Sequence, residues 1–193
     1  MNIVGMIPAR MGSSRFPGKP LAPILGRPMI EHVYRRTALC KRLADVFVAT
    51  CDGEIRDAVE AFGGKAIMTS DRHERASDRI AEAMEHIDAD IAVLVQGDEP
   101  MTHPDMIDQS IRPFSEEQGI TCVNLLKRIE DEAEFKSPDT IKVVIDDAGF
   151  ALYMSREPIP TRDKIAFAEI TAFKQVCIIP FTRESLARYA SLA

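Results

Sequence analysis

At 193 residues, with 46% apolar and 28% charged side chains, the chain has an ordinary globular composition and room for one substantial core, two domains at most. Its formal charge of -6 argues against general nucleic-acid binding, which needs a basic face to neutralise phosphates, so a local cluster of cations points to one small anion. No apolar run approaches the roughly 20 residues of a membrane-spanning helix, and Arg10 cuts short the strand-like segment after Met1-Asn2, so neither a membrane partner nor a signal peptide is expected.

Residues 2–8 read as a continuous apolar strand. The stretch IPARMGSSRFPGKPL (7–21) ends it with Gly12, Gly18 and three prolines around Arg10, Arg15 and Lys19. Residues 28–40 show helical spacing, with Pro28 suited to the first turn. DVFVAT (45–50) is a buried strand by its β-branched run, and Asp52 reads as the N-cap of a helix that stops at Gly63-Gly64. KAIMT (65–69) is a short strand, and residues 77–87 form an amphipathic helix with Ser77 as cap and Ile80, Ala83, Met84 and Ile87 on its apolar face. In DIAVLVQGDEP (90–100), five consecutive apolar residues read as a central parallel strand covered on both faces.

HPDMIDQSIRPF then opens a helix and GITCVNLLKRI (119–129) a strand. TIKVVIDDAGFALYMS predicts a hairpin turning at Asp146-Asp147-Ala148-Gly149. FKQVCIIPF (173–181) predicts one further strand, and Thr182 caps a final helix. The rhythm predicts an α/β fold, an open, mostly parallel Rossmann-like sheet with helices on both faces, plus an appended β-hairpin region. The expected division is a nucleotide-binding core over 1–130 and a substrate and dimerisation region over 131–193. Cys40, Cys51, Cys122 and Cys177 are scattered, with no CxxC pair, and read as reduced thiols of a cytoplasmic protein.

Ligands of such sheets bind at the carboxyl ends of the strands, and three loops fall there. In the first, glycine lets backbone N–H groups turn toward a ligand, proline restricts the loop before binding, and Arg10, Arg15 and Lys19 can converge on one anion. It is neither GxGxxG nor GxxxxGK[ST], so a nicotinamide dehydrogenase and a P-loop protein are excluded. In the second, VQGDEP (95–100), Asp98 can hold a hard divalent cation completed by phosphate oxygens and water. The third, MTSDRHERASDR (68–79), places Arg72, His73, Arg75 and Arg79 around a helix start, where His73 reads equally well as a polar loop residue and as a ligand. A cationic cradle beside a metal-holding acid suits phosphoryl or nucleotidyl transfer.

The opening stretch through IEHVYRR, then VQGDEP, then IKVVIDDAGFALYMSREPIP, in order from Ile3 to about Pro160, closely resembles the CMP-Kdo synthetases, or 3-deoxy-manno-octulosonate cytidylyltransferases. The resemblance implies the nucleotide-diphospho-sugar transferase type of sheet. It also implies that Arg10, Arg15 and Lys19 hold the CTP triphosphate, with Pro8 and Ala9 lining the cytosine site and Ser77 and Arg79 nearby. Asp98 would bind Mg²⁺, and Arg10, Lys19 and Asp98 would form the catalytic set. Gln96 would contact the sugar or ribose, while Lys142, Ser155 and Arg156 would face the sugar acid's carboxylate and the phosphates.

The implied reaction joins CMP from CTP to a 2-keto-3-deoxy sugar acid and releases pyrophosphate, in a cytoplasmic homodimer serving lipopolysaccharide biosynthesis. Two stretches depart from the family: Arg75-Ala76-Ser77 replaces a Ser-Gly-Thr turn, and Gln175 stands where a sugar-site His is usual. A CMP-sialic, legionaminic or pseudaminic acid synthetase is therefore a second reading, and a nucleotide-binding module without turnover a third. Members of that family continue past the position of Ala193 through dimer contacts and a second Mg²⁺ carboxylate, so the chain reads as C-terminally short, whether truncated or a natural short form.

Overall fold

In the computed structural model, which describes residues 1–12, 16–161 and 165–192, the apolar run after Asn2 forms β1 (Ile3–Ala9), buried at every position. A 3₁₀ turn at Lys19–Leu21 and a small ribbon of β2 (Pro23–Ile24) and β3 (Arg27–Pro28) lead into α1 (Met29–Thr37). Helical spacing buries Met29, Ile30, Val33 and Thr37 of α1 against the sheet. β4 (Asp45–Thr50), α2 (Gly53–Ala61), β5 (Ala66–Met68), α3 (Ala76–Met84) and β6 (Ile91–Val95) continue the alternation. β6 is buried throughout, as a parallel strand covered on both faces must be.

α4 (Pro104–Ile111) and α5 (Pro113–Glu116) come next, then β7 (Leu125–Arg128) and α6 (Glu132–Lys136). The hairpin strands β8 (Lys142–Ile145) and β9 (Ala151–Ser155), then β10 (Phe173–Val176), β11 (Ile178–Thr182) and α7 (Arg183–Ala190) complete the order.

The chain divides into two units, one of residues 1–123 with the chain from Cys177 onward, the other Asn124–Val176. This corrects the expected boundary at 130/131. The reason is β11, which pairs antiparallel with all of β6 and so returns the last strand and helix to the first unit. Its sheet runs β11-β6-β1-β4-β5. β1 pairs in parallel with β4 on one side and β6 on the other, so the strand order reverses beside β1. Ligands of doubly wound sheets bind at such a reversal, at the carboxyl ends of the strands.

One face of this sheet packs Val4, Met6, Ala92 and Leu94 against Ile80, Ala83 and Met84 of α3 and Leu186 of α7. Arg183 fastens α7, its guanidinium donating to the carbonyls of Ala89 at 2.9 Å, Met84 at 2.8 Å and Ile87. Thr182 caps α7 as expected, its hydroxyl accepting from the Ser185 N–H at 3.2 Å.

The second unit carries a sheet of order β7-β10-β8-β9, all neighbours antiparallel, over a small core of Ile129, Phe135, Ile170 and Ala172. The predicted hairpin is β8–β9. Its turn is fixed by Asp146, whose carboxylate accepts from the Ala148 and Phe150 N–H groups, with Gly149 at φ +87°. The single strand expected over 173–181 is two, β10 and β11, in different sheets, and the strand expected over 119–129 is only Leu125–Arg128. Where the first unit's chain leaves and returns, Cys122 bridges Phe181, the Val123 N–H donates to Pro180 at 3.1 Å and the Thr182 N–H to Thr121 at 2.9 Å.

Candidate functional site

Beside the strand reversal, at the carboxyl ends of β1 and β6, lies a cavity of about 380 Å³ within the first unit. β1 and the loop after it supply Pro8, Ala9, Arg10 and Lys19, and the end of β6 supplies Gln96, Gly97 and Asp98. The opposite wall is His73, Glu74, Arg75 and Ala76, with Arg79 behind them.

Gly97 sets how closely the two strand ends approach. A Cβ there would lie 2.6 Å from the Pro8 carbonyl oxygen and 3.6 Å from the Ala9 Cβ, and the first of these is backbone of the neighbouring strand. Only glycine lets β6 end against β1 and deliver Asp98 to the cationic loop. The result is a contact, because Lys19 Nζ stands 2.6 Å from Asp98 Oδ2, both side chains partly exposed. Cradle and acid therefore face each other directly. Desolvation first, and the charge of Asp98 second, raise the Glu99 carboxyl above its ordinary value, with Lys19 pulling the other way.

The opening loop is held from two directions. The Gly18 N–H donates to the Met11 carbonyl at 3.1 Å, with Gly18 at φ +72°, a left-handed turn suited to glycine. The Met11 N–H in turn donates to Asp52 Oδ2 at 2.8 Å. Asp52 precedes α2 as the sequence predicts, yet its carboxylate makes no capping bond there. Nothing local in the sequence signals a partner 41 positions away. Arg15 lies outside the described residues.

Arg79 is almost fully buried, and its guanidinium donates to Thr69 Oγ1 at 2.6 Å and to the carbonyls of Ser70 at 3.2 Å and His73 at 3.3 Å. Its contribution to the cavity is thus to hold the 69–73 loop. Ser77, expected as a cap, sits inside the first turn of α3, whose N-cap is Arg75 without a side-chain bond, and its hydroxyl donates to Asp78 Oδ1 at 3.3 Å. Glu82, a residue the sequence reasoning missed, accepts the Ser70 N–H with both oxygens at 3.0 Å and pairs with His73 Nε2. Its position one turn beyond Arg79, on the polar side of a helix that starts at the cavity, was the available signal. Burial pushes the Glu82 carboxyl up, but the bonds from His73 and Ser70 outweigh it and hold the carboxyl below its ordinary value.

The residues that the resemblance assigns to the sugar acid are in the second unit. Lys142 is fully buried, and its ammonium donates to the carbonyls of Ser137 and Thr140, each at 2.8 Å, and of Arg156. All three of its N–H donors are thereby used on backbone, which leaves none for a carboxylate in this arrangement. Burial lowers its pKa first, with Arg156 adding to that and Glu157 opposing it. Arg156 is exposed and donates to Pro138 O at 2.8 Å, and Ser155 Oγ accepts the Glu157 N–H at 3.0 Å. Gln175 donates to Asn124 Oδ1 at 2.6 Å.

Residues 4–189 match the family described as Cytidylyltransferase. The chain is 44% identical to the 3-deoxy-manno-octulosonate cytidylyltransferase of Geotalea uraniireducens (strain Rf4), with all of this chain matching 80% of that protein. It is 42% identical to the 8-amino-3,8-dideoxy-manno-octulosonate cytidylyltransferase of Shewanella amazonensis (strain ATCC BAA-1098 / SB2B), over all of this chain and 79% of that one. A solved structure of CMP:2-keto-3-deoxy-manno-octonic acid synthetase complexed with CTP is similar at a TM-score of 0.93 and 41% identity, covering 100% of this chain and 79% of that chain.

Proposed function

The chain belongs to the cytidylyltransferase family, and within it we propose that it joins CMP from CTP to 3-deoxy-manno-octulosonate, releasing pyrophosphate. The observation that carries this reading is the Lys19–Asp98 contact at the adjoining ends of β1 and β6, in a fold shared over its whole length with a CTP-bound synthetase. It sets a cation where phosphate charge must be neutralised and a hard acid beside it.

The residues fit Mg²⁺. Among the described residues no group of three His, Cys, Asp or Glu side chains forms a closed metal site, so Asp98 would share the ion with phosphate oxygens and water, the ligand set Mg²⁺ prefers. Bound there, the ion would supply charge neutralisation to the phosphates. Arg10 and Lys19 bind the triphosphate, Pro8 and Ala9 wall the base, and Gln96 offers an amide to a sugar or ribose hydroxyl. In the reaction the anomeric hydroxyl forms a bond to the α-phosphorus and loses its proton, while the bond to the α–β bridging oxygen breaks and pyrophosphate departs. The cationic loop stabilises the charge that develops on the leaving group. We further assign the protein to the cytoplasm and to a homodimer, both supported by its resemblance to the family.

Pyrophosphate release with CTP and Mg²⁺ tests the reading across 3-deoxy-manno-octulosonate, its 8-amino-3,8-dideoxy analogue and a sialic acid. Release with the first is expected, and Asp98→Asn should abolish it while metal-free CTP titration persists. Preference for the amino sugar would move the substrate to that of the Shewanella relative. CTP binding without release for any sugar acid would leave only a nucleotide-binding module.

A further inference from the structure

The wall of the cavity opposite the cationic loop includes His73, Glu74 and Arg75, the end of a segment with no regular structure, Ser70–Arg75, between β5 and α3. Before it, the Thr69 N–H pairs with the Thr50 carbonyl at 2.9 Å. Beyond that point Asp78 of α3 pairs with Arg75 at 3.9 Å, and two further side chains of α3, set one turn apart, hold Ser70 and His73. Arg79 binds the carbonyls of Ser70 and His73, and Glu82 binds the Ser70 N–H and the His73 ring. α3 itself cannot shift easily, since Ile80 and Ala83 are wholly buried against the sheet.

We propose that Glu82 is a positioning residue for nucleotide binding, holding the 70–75 wall and the His73 ring in place for the triphosphate that the opposite loop receives. This rests on the cytidylyltransferase reading above. Two features make Glu82 more than one of several fasteners. Both of its oxygens accept the Ser70 N–H, and an ionised acceptor forms roughly twice as strong a bond as a neutral one. It also orients His73, because the Glu82 carboxylate accepts from Nε2 and so fixes the direction of a ring that lines the cavity. Without Glu82 the ring loses its Nε2 partner and the segment one of the two side chains that join Ser70 to His73.

The test compares wild type, Glu82→Gln and Glu82→Ala by calorimetric CTP titration, by kcat and KM in the pyrophosphate assay, and by circular dichroism for folding. In Glu82→Ala the Kd and KM for CTP should rise about tenfold with kcat within about twofold, a pattern a general loss of structure would not give. Glu82→Gln keeps one oxygen for the Ser70 N–H and should recover most of this, to about threefold above wild type. Unchanged CTP affinity in both variants, or a loss confined to kcat, overturns the proposal. Should Glu82→Ala not fold, Glu82→Gln decides alone, by its roughly threefold rise in Kd or the absence of that rise. A wild type that binds CTP but turns over no sugar acid would defeat the catalytic reading, and the titrations would still judge Glu82.

Discussion

Gly97→Ala puts the strand-end geometry under direct strain. Its added Cβ would stand 2.6 Å from the Pro8 carbonyl oxygen, whereas ordinary contact begins at 3.4 Å, so one strand end must give by about 0.8 Å. Pro8 cannot give cheaply, because β1 is wholly buried between β4 and β6. Overpacking of this kind costs about 1–3 kcal/mol, and at about 2–4 °C per kcal/mol for a chain of this size the Tm should fall by roughly 2–12 °C. The functional loss should be larger in proportion. Asp98 follows directly, and a displacement near 1 Å at a reacting centre can cost about 10²-fold, so kcat/KM for CTP should drop at least about tenfold. Thermal unfolding and the pyrophosphate assay measure the two effects. Gly53→Ala is the control, since there the nearest atom is the flexible end of Arg56 at 3.8 Å. A Gly97→Ala protein with wild-type Tm and kcat/KM would refute the close approach of the two strands.

Lys19→Ala and Arg10→Ala should each weaken CTP binding by about 10- to 100-fold, the loss of one charge-assisted contact, and unchanged titrations in both would remove the cradle. The Glu82 carboxyl is held below its ordinary value, so its contribution to stability is full above the unfolded pKa and lost as pH falls through the lower folded one. The Tm advantage of wild type over Glu82→Gln should therefore be present at about pH 7 and shrink by about pH 3, and an equal difference at both would show that the charge is not involved.

The alternation of strands and helices was legible because burial on both faces leaves continuous apolar runs, and β6 is the clearest case. What the sequence could not place is non-local. Asp52 sits at a cap position in every local respect, but the Met11 N–H reaches it first across the loop. Phe173–Val176 and Ile178–Thr182 form one run in sequence, and nothing in a β-branched pattern says that its halves join different sheets. Motif reading found Lys19 and Asp98 separately but not their contact, which depends on Gly97 and a strand order no spacing reveals. The resemblance assigns Lys142 to a ligand, and its burial under three carbonyls is a property of the hairpin's packing, invisible in the string IKVV.

The paired segments at Thr121–Val123 and Pro180–Thr182 make Asn124–Val176 an insertion whose two ends start from the same spot on the first unit. Adjacent ends mean that the intervening chain closes a loop already closed at its base, so lengthening or replacing it adds little closure entropy to the folding of the first unit. The loops proposed to hold the nucleotide and the β1–β6 crevice all lie in the other part of the chain. On that assignment, changes within Asn124–Val176 can accumulate while the crevice stays as it is.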